Sequence, residues 1–511
     1  MATFKKQNKN FGSYMKKLVY LPLDERPCNY SFVKFLMEDN QEIHLATPTF
    51  VELGDKKKPA DYQRIAEFLF RECADADYLV IAIDTLLYGG IVPSRLHNLS
   101  VEEVRERLSV LKTLKEKNPS LKVYAFSLIM RCPSYSTSEE EPDYYGQVGA
   151  EIFLYGQNEH KYSLGLLTKT EYEQTKQALC VCEPYLSDYL DRRAVNLSVL
   201  MDVLRMTGKE IDEMVILQDD SNPYGFTAID QKKVRDYIQE LGIHVDIYPG
   251  GDEGGLSLLA RTVCAIKGYS PKICPIYPLE ESKLFIPLYE DREVYKSVEA
   301  QIRSAGGIVV DNAELADILL YCNAPACIAH NIDRPYSEQE DLRDLALFVS
   351  SMKDALCTGK NVAVADIAYC NGADVKMTER MAKSFDFMDL AGYAGWNTSS
   401  NAIGTVLAQS VVHYFYGKTS AHKRFTAERM YEDIGYCSYV RKRVWDYEVV
   451  PMGYSYEDTK VQRGEVSERI KMLLDEYMQE NYPSMAERYQ IVDCYMPWRR
   501  MFEVGLLIKE K

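Results

Sequence analysis

Short apolar runs, each ending in polar residues and followed by an amphipathic helical pattern, dominate the first half of the chain. These runs are too short for helices and too continuously apolar for half-exposed strands, so they predict buried parallel strands. Strands that alternate with helices predict an α/β protein whose parallel sheet is connected by helical crossovers. The predicted strands are residues 18–23, 43–46, 78–83, 123–129, 214–217 and 245–248.

The helical patterns between these strands carry their own end signals. Residues 101–117 place Glu, Arg and Lys on one face and Val and Leu on another. Ser100 is the predicted N-cap of this helix, and Glu103 completes a capping box. Residues 231–241 predict another helix, which Gly242 ends.

Residues 134–208 interrupt this alternation. The segment 133–149 is rich in Ser, Glu, Tyr and Gly and predicts a long loop, and 171–207 predicts two long helices. We interpret the interruption as a helical insertion over the end of the sheet. Whether it forms a lid or a dimer contact stays open.

After residue 269 the alternation resumes less regularly, and the tail 419–511 is predicted to be mostly helical with a strand-like run at 502–508. Strands are predicted at 273–277, 285–288, 308–310, 318–322, 362–365 and 390–394. Helices are predicted at 295–305, 342–356 and 401–416.

The fold class predicted from this order is α/β, in the form of a (β/α)8-type barrel with an inserted or appended α/β part and a helical C-terminal region. The alternative is a doubly wound, two-domain α/β protein. The predicted division is 1–16 as a disordered lead, 17–268 as a barrel-type core with the helical insertion at about 134–208, 269–417 as a continuation that completes the core or forms a second lobe, and 418–511 as a mostly helical region.

Composition narrows the partners. The 511 residues are 46% hydrophobic and 27% charged, as in globular proteins, and the net charge of −16 repels phosphate backbones, so nucleic acid is not an expected partner. No stretch reaches the roughly 18 consecutive apolar residues that a membrane span requires. Thirteen scattered cysteines and no secretory signal pattern predict a reducing, cytoplasmic location.

Polar and acidic residues gather where the predicted strands end. In parallel α/β folds ligands bind beyond these ends, because side chains from several strands converge there. Any one such residue could instead cap a helix or form a turn. The candidate substrate-binding residues are Asp24, Arg26, Asn29, Asp84, Tyr88, Arg131, Asn222, Asp366, Asn371, Trp396, Asn397, Thr398 and Asn401.

The adjacent pair Asp219 and Asp220 is the sharpest feature. Two carboxylates at one strand end can divide roles, one as a general acid with a raised pKa and the other ionised. Asp252 or Glu253, between pairs of glycines, is the candidate partner carboxylate. The alternatives are a helix cap for the first pair and a plain strand-to-helix turn for the second.

Residues 395–404 (GWNTSSNAIG) form the third candidate segment. The indole of Trp396 offers a flat apolar face for a sugar ring, or it fills the core. Asn397, Thr398 and Asn401 would supply neutral hydrogen bonds to hydroxyl groups.

No cofactor is predicted. Seven histidines occur without metal-binding spacing, and the C-x-C of Cys180 and Cys182 lies in a helical pattern where the two side chains do not share a face. An oxygen-only magnesium or calcium site from Asp24, Asp84 and Asp219 stays an open alternative.

Several motifs resemble the signatures of a bacterial family catalogued as a domain of unknown function. They are LPLDERPCN at 21–29, QDDSNPYG from 218, NGAD from 371 and AGWNTSSNAIGT at 394–405. The resemblance extends from about residue 17 to the final residues. It implies that the motif residues form one site, and it names no substrate.

Together these features predict a carbohydrate-active enzyme, a glycoside hydrolase that acts on a sugar or glycoside. One alternative is a metal-assisted hydrolase or lyase with a carboxylate-bound divalent ion. Another is a non-enzymatic protein that binds a small ligand. A homo-oligomer is left open.

Overall fold

The computed structural model describes residues 15–326, 330–333 and 338–511. Most of the predicted lead (1–16) lies outside this range, and the first strand already begins at Lys16. In chain order the strands are β1 (Lys16–Leu21), β2 (Ile43–Ala46), β3 (Tyr78–Ala82), β4 (Lys122–Ile129), β5 (Glu213–Gln218), β6 (Asp246–Pro249), β7 (Lys272–Ile276), β8 (Ile308–Val309), β9 (Ile318–Asn323), β10 (His330–Asn331), β11 (Asn361–Asp366), β12 (Tyr369–Cys370), β13 (Gly392–Ala394), β14 (Tyr489–Tyr495) and β15 (Gly505–Glu510).

The helices alternate with these strands and then dominate the C-terminal region, where wide π-type turns at Met430–Val440 and Trp445–Val449 extend them. In chain order the α-helices are α1 (Pro27–Met37), α2 (Tyr62–Glu72), α3 (Ile83–Tyr88), α4 (Val101–Lys117), α5 (Tyr145–Ser163), α6 (Lys169–Ala178), α7 (Glu183–Arg205), α8 (Phe226–Leu241), α9 (Gly254–Lys267), α10 (Val294–Ser304), α11 (Leu345–Cys357), α12 (Val375–Ser384), α13 (Ser399–Tyr416), α14 (Ser420–Arg429), α15 (Arg441–Val444), α16 (Glu465–Asn481) and α17 (Pro483–Arg488).

Two parallel sheets organise the chain, which confirms the α/β class. The first has the order β2-β1-β3-β4-β5-β6 and the second the order β13-β11-β9-β7-β8. Counted along the chain within each sheet, both follow the order 2-1-3-4-5, and the first adds a sixth strand. In such sheets the crevice beyond the carboxyl ends is the usual place for a ligand.

The strands of the first sheet form where they do because both of their faces are buried. Leu18 and Tyr20 of β1 belong to one apolar cluster, and Val19 and Leu21 belong to the cluster on the other side. Alternating side chains point to opposite faces, so a continuous apolar run is what a strand covered on both sides needs.

Local signals also fix individual helix ends. The predicted capping box is confirmed, since the Ser100 side chain accepts from the Glu103 N–H and the Glu103 side chain accepts from the Ser100 N–H. Gly242 ends α8 in a left-handed conformation, as the sequence predicts.

Some predicted elements are wrong. The segment 285–288 is not a strand, because Pro287 has no N–H to donate to a neighbouring strand. The long loop predicted at 133–149 gives way to α5 at Tyr145. The antiparallel pair β14 and β15 closes the C-terminal region, and the sequence predicted only its second strand. None of the described helices is long and apolar enough to cross a bilayer.

Candidate functional site

A cavity of about 310 Å³ opens where the carboxyl ends of the first sheet face loops of the second sheet and of the C-terminal region. Its walls come from the loops after β1, β4, β5 and β6, from the turns around β12 and β13, and from the last sixty residues. The lining residues are Arg26, Ile91, Arg131, Tyr135, Ser136, Thr137, Glu139, Glu140, Asp219, Asp220, Gly251, Asp252, Tyr289, Asn371, Asn397, Thr398, Asn401, Tyr456, Glu457, Arg500 and Phe502.

Many of the sequence candidates meet in this cavity although they lie far apart in the chain. They come from all four motif segments, from the glycine-flanked turn and from the residues just after β4. These candidates are Arg26, Arg131, Asp219, Asp220, Asp252, Asn371, Asn397, Thr398 and Asn401.

Asp252 is a fixed carboxylate. Its Oδ1 accepts from Nη2 of Arg26 at 2.6 Å and from Nδ2 of Asn29 at 2.9 Å. Its Oδ2 accepts from Nη1 of Arg26 at 3.2 Å. A bidentate contact with a buried guanidinium fixes the orientation of a carboxyl group.

Asp24 lies behind this contact and does not line the cavity. It accepts from Nε and Nη2 of Arg26 at 3.0 and 2.6 Å and from Asn29 at 3.0 Å. Arg26 therefore joins Asp24 to Asp252, and Asn29 supports both carboxylates. Because Asp24, Arg26 and Asp252 are all buried, removal of any one of them would leave a buried charge without a partner.

Asp219 and Asp220 divide their partners as two adjacent strand-end carboxylates can. Oδ2 of Asp219 accepts from Arg95 at 2.6 Å, and Oδ2 of Asp220 accepts from Arg131 at 3.1 Å, while Arg131 also lies 3.8 Å from Asp219. The Tyr135 hydroxyl donates to the same oxygen of Asp220 at 3.4 Å.

The Asp220 carboxyl group stands out in the cavity because its pKa lies near neutral pH. Burial raises its pKa to about 7, and the charge of Asp219 acts in the same direction, against the opposing effect of Arg131. A carboxyl group with such a pKa can hold a proton near neutral pH and release it to a bound substrate.

Asp220→Asn is expected to be more stable than the wild type above neutral pH. The folded pKa of about 7 exceeds the ordinary value of 3.8, so folding favours the protonated acid and stability is lost as pH rises between these values. The gain should be on the order of 4 kcal/mol at about pH 8 and absent at about pH 3. Urea unfolding at both pH values measures it, and an equal difference at both would contradict the assignment.

Backbone strain concentrates at the cavity. Asp220, Tyr289, Asn371 and Asn397 all line it and have positive φ angles of 42°, 66°, 67° and 53°. The Asn371 N–H donates to the Asn397 carbonyl at 2.7 Å, which ties two of these residues together. Non-glycine residues adopt this conformation at a cost, and they cluster at functional sites, where the surroundings enforce it.

Three other candidates from the first sheet, Asp84, Tyr88 and Asn222, lie outside the cavity lining. Oδ2 of Asp84 accepts from the Ser127 hydroxyl and the Leu128 N–H at 3.0 Å each, so it joins the start of α3 to β4. Tyr88 stacks on His97 at 4.5 Å, and Asn222 is half-buried in the turn before α8, outside the cavity lining.

Glu253 lies beneath the cavity. Its Oε2 accepts from the Gly251 N–H at 2.8 Å, and burial raises its pKa to about 8. A Cβ on Gly404 would overlap the Glu253 side chain, so α13 requires glycine at this approach. Glu253 thus shapes the Gly251 turn, and Asp252 is the acid of this turn that reaches the cavity.

Two candidates from the second sheet are buried in its core. Asp366 accepts from Asn323 and from the Asp374 N–H at 2.8 Å each. The Trp396 indole donates to Thr405 and packs edge-on against Phe32, and only 5% of the residue is exposed. The predicted sugar platform is therefore a core side chain, as the alternative interpretation had it.

The loop 133–143 covers one side of the cavity and contributes residues that the sequence did not single out. Glu140 forms ion pairs with Arg95 at 2.9 Å, with Arg131 at 3.1 Å and with Arg500. Although burial alone would raise it, these arginines hold the pKa of the Glu140 carboxyl well below its usual range. A run of Ser and Glu gives no local signal of this pairing, because its partners lie in other segments.

Within the described residues, no group of three or more His, Cys, Asp or Glu side chains could hold a metal ion. Asp24, Asp84 and Asp219 each pair with different protein groups. Cys180 and Cys182 lie in a short 3-10 helix and are free, as are the other described cysteines.

Comparison with known proteins identifies a family and gives no named relative. The family described as "Protein of unknown function (DUF4127)" matches residues 18–507. The expected resemblance to a domain of unknown function over nearly the whole chain is thereby confirmed. No curated protein and no solved structure matches the chain.

Proposed function

The chain belongs to the DUF4127 family, and from the chemistry of its cavity we propose that it is a carbohydrate-active enzyme, a glycoside hydrolase. One observation carries the proposal. A single cavity contains two unlike carboxyl groups, the proton-holding Asp220 and the Arg26-bound Asp252. Glycoside hydrolysis needs this combination of one acid and one carboxylate.

Asp220 acts in this proposal as the general acid that protonates the leaving oxygen of the glycosidic bond. Asp252 acts as the partner carboxylate, either as the nucleophile or as the base that activates water. Arg26 and Asn29 keep Asp252 oriented. Burial raises the pKa of Asp220, the charge of Asp219 adds to this effect, and Asp219 is itself held by Arg95.

The remaining lining supports a small hydroxyl-rich substrate. A volume of about 310 Å³ is at the lower end of small-molecule sites and suits one sugar unit with its leaving group. Oδ1 of Asn401 is buried and has no hydrogen-bond partner among the described residues, so a ligand hydroxyl would satisfy it. Asn371, Asn397 and Thr398 offer further neutral polar groups.

Activity is expected to fall as pH rises through about 7. The general acid must be protonated in the free enzyme, and burial raises the pKa of Asp220 to about that value. A plot of kcat/KM against pH should show a basic limb near pH 7 that Asp220→Asn removes from the residual activity. An unchanged basic limb in the variant would assign the proton to another group.

A panel of aryl glycosides of both anomers, assayed with and without chelator, tests the proposal itself. Hydrolysis that survives chelation supports it. Hydrolysis that chelator abolishes and added metal restores favours the metal-assisted alternative. Thermal stabilisation by sugars without turnover of any glycoside favours the small-ligand-binding protein.

We also propose a doubly wound, two-lobe architecture and a cytoplasmic location for this enzyme. The two strand orders favour the doubly wound, two-lobe alternative over a closed (β/α)8 barrel, since each sheet has its own complete 2-1-3-4-5 order. A cytoplasmic enzyme is supported by the twelve described cysteines, all of them free. Sugars or glycosides are the proposed partners, without nucleic acid, and a homo-oligomer stays open.

A further inference from the structure

The indole of Trp498, near the end of the chain, contacts the arginine network of the cavity. The Cζ atoms of Arg26 and Arg500 lie 4.3 and 4.6 Å from the centroid of its ring. Its N–H donates to Oε1 of Glu25 at 2.6 Å, and only 2% of the residue is exposed. The ring face and the sole polar atom of this side chain are thus both engaged with residues around the site.

The backbone at this position is held in an unfavourable conformation. Trp498 and Arg499 are consecutive residues with φ angles of 53° and 57°. The Arg499 carbonyl accepts from the Thr459 N–H at 2.7 Å, and its guanidinium binds Asp55 at 2.7 Å. Such strain persists only where surrounding contacts enforce it, and it clusters at functional sites.

The position of Arg26 matters because its edges are already committed. One edge binds Asp24 and another binds Asp252, so only the flat face of the guanidinium is available for packing. A tryptophan ring provides the strongest side-chain surface for that face through the cation–π attraction, and burial increases this attraction.

We propose that Trp498 is a positioning residue that holds Arg26 in the plane in which it binds Asp252, so that the C-terminal segment 497–500 completes a site built on the first sheet. This inference rests on the proposed role of Asp252. It assigns a function to a segment that lies more than 200 residues along the chain from Asp24, Asn29 and Asp252, whereas Glu503, which also faces Arg26, is its neighbour in sequence.

The direct test is the reactivity of Arg26 towards phenylglyoxal, followed by peptide mass spectrometry in the full-length protein. Trp498→Leu removes the ring and should speed modification of Arg26 by at least about tenfold, since a desolvated cation–π contact is lost. Trp498→Phe keeps an aromatic face and should restore most of the protection. Trp396→Leu is the control for loosening near Arg26, because Trp396 is also a buried indole and borders a small cavity beside Arg26, but its ring packs edge-on against Phe32.

Protection of Arg26 that persists in a folded Trp498→Leu protein would overturn the proposal. If that variant does not fold, Trp498→Met takes its place, since methionine fills the apolar space but has no ring for a cation–π contact. Persistent protection of Arg26 in a folded Trp498→Met protein would likewise overturn the proposal. Acceleration in Trp396→Leu equal to that in Trp498→Leu would also overturn it, because the effect would then be general loosening.

Steady-state kinetics give a second readout once a substrate is found. Trp498→Leu should lower kcat by at least about tenfold with little change in KM, because a misplaced Asp252 acts in the transition state. Failure of the wild type to cleave any glycoside would refute the proposed function, whereas Arg26 reactivity would still decide the positioning role.

Discussion

Asp220→Asn is expected to lower kcat/KM by about 10³-fold for an alkyl glycoside, since general-acid catalysis contributes roughly 10²–10⁴-fold. An alkyl alcohol is a poor leaving group and needs the proton of Asp220 in the transition state. A dinitrophenyl glycoside has a leaving group that departs without a proton, so its hydrolysis should fall far less. Measuring both substrates therefore separates loss of the acid from loss of the fold.

Asp84→Asn is the matched control for this experiment. Asp84 is also a buried strand-end aspartate, and burial raises its pKa to about 6, but its carboxyl joins α3 to β4 instead of lining the cavity. Asparagine can still accept from Ser127 and Leu128. We expect near-normal activity in Asp84→Asn and a loss in Asp220→Asn. If Asp220→Asn lost activity equally on the alkyl and the dinitrophenyl substrate, Asp220 would not be the general acid.

Asp252→Asn is expected to have the largest effect, a loss of about 10⁴-fold or more in kcat on both the alkyl and the dinitrophenyl substrate. The partner carboxylate either attacks the anomeric carbon or activates the water that attacks it, so a better leaving group cannot replace it. The amide oxygen can still accept from Arg26, which also retains its pair with Asp24. The protein should therefore fold while the reaction fails.

Asp246→Asn provides the control on the same strand. Asp246 lies at the amino end of β6, the end of the strand away from the cavity, where its carboxylate lies 3.6 Å from Arg303. Its substitution should leave both activities within about twofold, as is usual for residues remote from a site. A dinitrophenyl substrate cleaved normally by Asp252→Asn would show that another group is the partner carboxylate.

The sequence predictions that the structure confirms depend on residues that are close together in the chain. The helix Val101–Lys117 and its capping box follow from a few adjacent residues, and so do the buried strands with their apolar runs. Asp219 and Asp220 follow β5 directly, so their place at the carboxyl edge of the sheet was also predictable.

Trp396 shows what a local sequence pattern cannot predict, which is the direction in which a side chain points. An indole after a strand looks the same in sequence whether it faces a ligand or the core. Here the following helix α13 is buried over most of its length, and its packing draws the ring inward against Phe32. That orientation depends on residues hundreds of positions away.

The sequence by itself determined the α/β class, the positions of most strands and the acidic character of their ends, because these follow from hydrophobic period and short-range hydrogen bonding. Only the tertiary structure decided that Asp220 and Asp252 share a cavity while Asp84 and Asp366 do not. It alone placed Glu140 and Trp498 against the arginines. The physical reason is that burial, ion pairing and pKa depend on groups that chain folding brings together, and no local spacing encodes them.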